Sequence, residues 1–375
     1  MIASESVRDY HQDPFIVIWE VTRACALKCL HCRAEAQHKA DPCQLTLAEG
    51  KRLLDQIAEL NHPLCVFTGG DPLMRPDLFE LARYAIEEKK LSLSMTPSAT
   101  PKVTREAVVK AKEAGLSRWA FSLDGSCAEV HDHFRGTRGS FAMTMRGIGY
   151  LQETGIPIQI NTTVSQYNLH DLAQIAERVK EMQAVLWSVF FLVPTGRAME
   201  KDMISPAQHE EVMRWLYKLQ QRMPFGIKAT EAPHYRRVIL QKQRQKRGGE
   251  ENKAAAGVRR ATDALGRAPK GVNDGDGFVF ISHTGEVYPS GFLPLACGNI
   301  RENSLVDIYR SAAVMQQLRD KALLKGKCGV CEFKMICGGS RARAFALTGD
   351  YLESDPYCVH IPQDWKGERL NAKGC

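Results

Sequence analysis

A chain of 375 residues, 44% hydrophobic and 25% charged, exceeds what one hydrophobic core usually organises, so a large catalytic unit with a smaller appendage is expected. No apolar run reaches the roughly 18 residues of a membrane crossing, and the opening MIASESVRDYHQDP lacks the basic and apolar segments of a secretory signal, which points to the cytoplasm. The net charge of +7, from 50 basic and 43 acidic side chains, is too modest for this length to imply nucleic acid.

Residues 1–13 read as a tail, after which short apolar segments bounded by turns alternate with amphipathic stretches. Strands are expected at 15–21, 64–68, 91–96, 118–123, 157–164 and 185–193, with helices at 46–60, 76–88, 104–114, 140–153 and 169–182 between them. Six βα units in this order predict an α/β fold, a partial (β/α)6 TIM-like barrel over 14–235, with the chemistry at the C-terminal ends of its strands. Residues 236–270 hold eleven Lys or Arg against three acidic residues. Segment 236–275 therefore reads as a solvated basic linker or insertion, the functional alternative being a guide for an anionic substrate. The stretch GFVFISHTGEVYPS has strand, turn, strand character around Thr284 and Gly285 and opens a compact unit over 276–364, before a tail at 365–375.

Twelve cysteines in a reducing compartment argue for metal ligation over disulfides. Cys25, Cys29 and Cys32 form C-x3-C-x2-C just after the first strand, whereas Cys328, Cys331 and Cys337 form C-x2-C-x5-C, with Cys358 further on. Three thiolates on so short a loop can ligate three irons of a cubane and leave the fourth iron open to a small molecule. Tetrahedral zinc would want a fourth ligand, and His31, the nearby candidate, points elsewhere than Cys32 in an extended loop. The four C-terminal thiolates can close either a [4Fe-4S] cluster or a zinc site, and spacing does not decide between them. Cys43, Cys65, Cys127, Cys297 and Cys375 stand apart; Cys65, within an apolar run, reads as a small buried hydrophobe.

The segment WEVTRACALKCLHCRAEA resembles the cluster-binding loop of the radical S-adenosylmethionine superfamily. That resemblance implies that the open iron of a [4Fe-4S] cluster chelates S-adenosylmethionine and delivers the electron that yields a 5′-deoxyadenosyl radical. It places Gly69, Gly70, Asp71 and Pro72, in TGGDP, where the family shows GGEP and receives the cofactor's amino group. The glycines would let backbone carbonyls approach an ammonium closely. Ser122 and Asp124 in FSLDG correspond to a segment near the ribose and methionine, and Arg135 in HDHFRG to a partner for the methionine carboxylate. Asn161 in QINTTV corresponds to a ribose contact, as does Ser98 at its spot in TPSAT, where many relatives carry Asn-Gly. Gly196 and Arg197 read equally as a turn or as adenine contacts. His234, Tyr235, Arg236 and Arg237 are candidates for substrate contact. No catalytic acid or base is identified.

The text GNIRENSLVDIY followed by CGVCEFKMICGGSRARA is similar to the SPASM extension, implying that Cys328, Cys331, Cys337 and Cys358 hold an auxiliary [4Fe-4S] cluster. Full SPASM extensions carry further cysteines where this chain has Ser290, and Ser340 with Arg341, so one auxiliary cluster is expected and Cys297 lacks obvious partners. The wording is most similar to enzymes of the alternative haem pathway that resemble Fe-coproporphyrin decarboxylase. This implies oxidative decarboxylation of the propionates of an anionic tetrapyrrole, with an electron donor such as ferredoxin or flavodoxin. A peptide-modifying maturase is the alternative within the superfamily, with too little sequence before residue 14 for a leader-binding domain. A zinc-structured, non-catalytic binding module is the alternative outside it. It would leave Cys25, Cys29 and Cys32 one ligand short and TGGDP unexplained.

Overall fold

Seven short segments with apolar residues at alternate positions pair side by side, parallel and in chain order. They are β1 (Ile16–Glu20), β2 (Leu64–Thr68), β3 (Leu93–Met95), β4 (Arg118–Ser122), β5 (Ile158–Val164), β6 (Leu186–Phe191) and β7 (Gly226–Thr230). This computed structural model describes residues 8–246 and 271–367. Along one face the register sets Trp19 beside Phe67, Phe67 beside Met95 and Met95 beside Trp119, all fully buried. Cys65 shares that burial, as expected of it.

The helices covering that face are α1 (Leu47–Glu59), α2 (Leu78–Arg83, continued by one wide turn, Tyr84–Glu88), α3 (Arg105–Glu113), α5 (Ser140–Thr154), α6 (Leu172–Glu181), α7 (Pro206–Leu219) and α8 (His234–Lys246), whereas α4 (Ala128–Arg135) packs through Phe134 on His31. Local chemistry fixes their starts. Thr46 with Glu49, and Ser205 with Gln208, form reciprocal caps at α1 and α7, and Thr104 caps α3. None of the described helices is long and apolar enough to cross a membrane.

Because side chains alternate along a strand, the opposite face carries the polar set. Glu20 lies beside Thr68, Ser122 beside Asn161, Asn161 beside Ser188 and Ser188 beside Lys228. This polar row, at the carboxyl ends of β1, β2 and β4 and midway along β5, β6 and β7, lies on the inner surface of an open barrel whose edge strands do not pair.

The six expected strands are all present, and the structure adds to the expected partial barrel. A seventh parallel strand, β7, follows α7 and leads into α8. The strand GIKAT escaped notice because its inner face is Gly226, Lys228 and Thr230, leaving Ile227 as its one large apolar side chain. The proposed basic linker begins inside a helix: Arg236 donates to the carbonyls of Val272 and Ile336, and buried Arg237 pairs with Glu210, so these charges are engaged by the fold. Residues 247–270 lie outside the described residues. The boundary at 276 is no break in the sheet either. β8 (Phe278–Ile281) pairs in parallel with β1, Ile16 opposite Phe278, and satisfies the backbone edge that β1 would otherwise expose. The antiparallel strands β9 (Glu286–Tyr288) and β10 (Gly298–Asn299) extend the sheet to ten. α9 (Leu305–Ser311), α10 (Ala313–Arg319), α11 (Gly326–Val330) and α12 (Arg341–Thr348) complete the C-terminal unit. Val193, Leu293, Leu318 and Ala342 form a small second core where this unit meets the barrel.

Candidate metal centres

Beyond Glu20 the chain enters a loop carrying Cys25, Cys29 and Cys32, and glycines clamp that loop from three sides. The amides of Gly70 and Asp71 donate to the carbonyls of Thr22 and Ala24 at 2.8 and 2.7 Å. A Cβ on Gly69 would sit 2.4 Å from the Thr22 oxygen, and one on Gly70 2.5 Å from that of Ala24. Gly196, at φ 65°, leaves the same room for the carbonyls of Cys32 and Arg33, and Gly136, at φ 60°, for that of Lys28. Arg197 donates through its backbone to Cys32 and through Nε to the Cys29 carbonyl, 2.9 Å away. TGGDP and PTGR thus hold the loop's backbone. The role of Gly136 was not read from the sequence, although its place after an amphipathic stretch matches a helix C-cap.

Cys25 and Cys29 are buried and Cys32 is partly exposed. The Leu27 amide donates to Cys25 Sγ at 3.4 Å and the Ala36 amide to Cys32 Sγ at 3.5 Å, while Ser98 Oγ lies 3.7 Å from Cys25 Sγ and donates to the Gly70 carbonyl at 3.1 Å. Burial pushes the Cys29 thiol up to about 11, although Arg135 opposes the shift. Such thiols ionise readily only when a metal takes the charge. Burial also works against the charge of Arg135, but Cys29, Asp124, Cys25 and Cys32 outweigh it and raise its pKa. Arg135 Nη1 is 3.4 Å from Asp124 Oδ2, and the other Asp124 oxygen accepts from the Thr163 amide at 2.8 Å. His31 stacks on Phe134 at 4.1 Å, held neutral by burial and by Arg135. Its Nδ1 and Arg197 Nη2 are buried without a hydrogen-bond partner among the described residues, as groups completed by a ligand are.

The remaining expected residues separate. Ser122 and Asn161 are neighbours on the inner face, where Asn161 Oδ1 accepts from Gln159 Nε2 at 2.7 Å. Pro72 opens a short 3-10 turn capped by Asp71. The Asp71 carboxylate faces into the fold, accepting from Thr100 Oγ1 at 2.8 Å and the Leu73 amide at 3.2 Å, and burial raises its pKa to about 6. Glu20, missed in the sequence, is fully buried. Burial opposes its charge, yet Arg33 and His283, each 3.0 Å away, and Arg23 hold its pKa at about 2.

Cys328, Cys331, Cys337 and Cys358 line one small cavity, with His234, Arg237, Lys327 and Lys334 around it. Arg341 Nη2 lies 3.5 Å from Cys328 Sγ, and a Cβ on Gly339 would come within 3.2 Å of the same sulfur. Burial works against a Cys358 thiolate, but His234 and Arg237 bring its pKa below the ordinary thiol range. The EAPHYRR side chains therefore serve the interior: His234 faces Asp355 at 3.2 Å, Tyr235 donates to Gln220, and the two arginines are engaged as above. Cys297 Sγ donates to its neighbouring Leu295 carbonyl, Ser290 accepts from the Phe292 amide, and Ser340 bonds Glu231.

Sulfur spacing addresses zinc. Tetrahedral Zn–S bonds of about 2.3 Å draw sulfurs to about 3.8 Å of one another. Among the described residues the one trio of His, Cys, Asp or Glu ligand atoms mutually within 4.8 Å is Cys331, Glu332 and His360, so no three of either thiol set close that far.

The family model of the Radical SAM superfamily matches residues 19–179, and that of SPASM, an iron-sulfur cluster-binding domain, residues 274–332. The chain is 44% identical over 349 residues to the AdoMet-dependent heme synthase of Methanosarcina barkeri, covering 93% of this chain and 97% of that one. It is 42% identical to the AdoMet-dependent heme synthase of Nitratidesulfovibrio vulgaris, with 93% of each covered. The crystal structure of Streptococcus suis SuiB bound to S-adenosylmethionine shares the fold, with a TM-score of 0.69 at 17% identity over 93% of this chain and 78% of that one.

Proposed function

The chain belongs to the radical S-adenosylmethionine superfamily and carries its SPASM extension, and on that premise we propose that it oxidatively decarboxylates the propionates of an iron tetrapyrrole in haem biosynthesis. The observation that carries this reading is the three-thiol loop, one ligand short of closed, set beside Arg135 above a polar barrel interior. We assign Cys25, Cys29 and Cys32 to the open [4Fe-4S] cluster, and Cys328, Cys331, Cys337 and Cys358 to an auxiliary one. When bound, the open cluster supplies the electron that cleaves S-adenosylmethionine to methionine and a 5′-deoxyadenosyl radical.

The protein's own part is binding and orientation. Arg135 offers a planar guanidinium to the methionine carboxylate, and the Gly70 carbonyl, steadied by Ser98, faces the amino group. Ser122 and Asn161 present hydroxyl and amide to the ribose. For the substrate, the Phe190 and Phe292 rings, 6.2 Å apart, and the Phe280 ring under Arg33 offer flat apolar surfaces. Arg23, 39% exposed, offers a cation to propionates. Each propionate gives one hydrogen atom to the radical and, as carbon dioxide leaves, one electron to an acceptor, leaving a vinyl group. A ferredoxin or flavodoxin suits as the electron partner. The identity to two heme synthases supports this substrate class over a peptide.

The test is anaerobic incubation with S-adenosylmethionine, a reductant and Fe-coproporphyrin III, followed by mass spectrometry. Loss of carbon dioxide and two hydrogens per converted propionate is expected. Formation of 5′-deoxyadenosine with no change in tetrapyrrole mass would overturn the substrate. Retained cleavage after replacing Cys25, Cys29 and Cys32 by alanine would overturn the ligand set.

A further inference from the structure

Eight large hydrophobic side chains stand exposed among the described residues, and four of them, Val330, Met335, Val359 and Ile361, flank the C-terminal thiols. Val330 and Val359 adjoin Cys331 and Cys358, and Met335, two residues before Cys337, is the most exposed of all at 73%. Contacts draw these positions onto one surface. Phe333 packs against His360 at 5.3 Å, Glu332 bonds His360 at 2.9 Å, and Lys327 Nζ donates to the Cys358 carbonyl at 2.6 Å. Single exposed apolar residues are ordinary, but a group around one cavity marks a surface that is covered at times.

Charge identifies what covers it. Lys327 and Lys334 are fixed at the rim, the latter by the Gly329 carbonyl at 3.0 Å, and exposed Arg244 lies over the Phe333 ring at 5.7 Å. The nearby carboxylate Glu332 is already engaged by His360. A few apolar side chains ringed by cations suit a small, transient, electrostatically steered contact, the class to which redox encounters belong. We propose that this rim is the docking face of a small acidic one-electron carrier protein, an inference that rests on the assignment of an iron-sulfur cluster to the cavity beneath it. One electron crosses per encounter, the carrier being oxidised by one electron as the cluster is reduced by one, or the reverse.

The holoenzyme is titrated calorimetrically with an acidic flavodoxin at low and high salt, and electron transfer from the flavodoxin hydroquinone, giving its semiquinone, is followed by stopped-flow absorbance. Met335→Glu with Val359→Asp should weaken binding at least tenfold and slow transfer in proportion, with dithionite-driven cofactor cleavage unchanged. Val109→Glu, on an exposed site of α3, should leave binding intact, and raised salt should weaken wild-type binding. Wild-type affinity in the double variant, or equal weakening by Val109→Glu, overturns the docking face while the cluster assignment stands. A concentration-dependent dimer that the double variant abolishes overturns it in favour of a second copy of the chain. Iron and zinc are measured on the same samples. Zinc in place of the auxiliary iron overturns the assignment and the docking face together.

Discussion

Arg135 and Asp71 are both buried ionisable side chains of the cofactor region, but their situations are opposite. Arg135 has Asp124 and three thiols to face, so Arg135→Ala would strand a buried carboxylate. That should lower unfolding free energy by about 3 kcal/mol, and affinity for S-adenosylmethionine with it. Arg135→Lys keeps the charge without the planar fork, so calorimetry should show weaker cofactor binding with most of the stability retained. Asp71 has hydrogen bonds and the pull of Lys102, but burial outweighs them and raises its pKa from 3.8 to about 6. The native state therefore holds its proton more tightly than the unfolded chain, and stability declines as pH rises from about 4 to above 6. Asp71→Asn should remove that decline and gain about 3 kcal/mol at pH 8 over wild type, with little difference at pH 3.5, as read by denaturant titration. The positions of both residues were legible as motifs. Their electrostatics were not, because burial and the neighbouring strands supply them.

At the scale of the element, the period-two pattern gave the first six strands to within two residues, because their outward positions are large and apolar. β7 was illegible for the opposite reason, and α4 was hidden in a short loop segment. Glycine was legible as a motif, whereas its work against the thiol loop is a packing fact. Gly196→Ala would put a Cβ 2.5 Å from the Cys32 carbonyl at a positive φ. Iron should fall from about eight to about four per chain as the N-terminal site fails to form. Gly139→Ala also suffers a positive φ but meets no atom within 4 Å, so it should lose roughly 1 kcal/mol of stability and keep its iron. Iron analysis and thermal denaturation of the two variants separate crowding from strain.

At the scale of the molecule, the C-terminal unit is not an appendage. β8 lies on β1, His283 on Glu20, and Tyr309 donates to the Tyr10 carbonyl at 2.7 Å. No local signal foretells a pairing between such distant segments, so the sequence suggested two domains where one sheet runs through both. A fragment ending at residue 246 exposes the β1 edge and leaves Glu20 without His283. It should therefore unfold without cooperativity and aggregate, as checked by circular dichroism and light scattering.

The pairing of Ile16 with Phe278 also sets an order in time. On the ribosome the cysteine loop emerges early, but the strand that completes its foundation arrives some 260 residues later, because the contact is among the most non-local in the chain. Until then β1 has a bare edge and Glu20 lacks one of its buried partners. The nascent loop is a set of thiols without a finished seat, so metal loading there should wait until β8 has emerged and paired with β1.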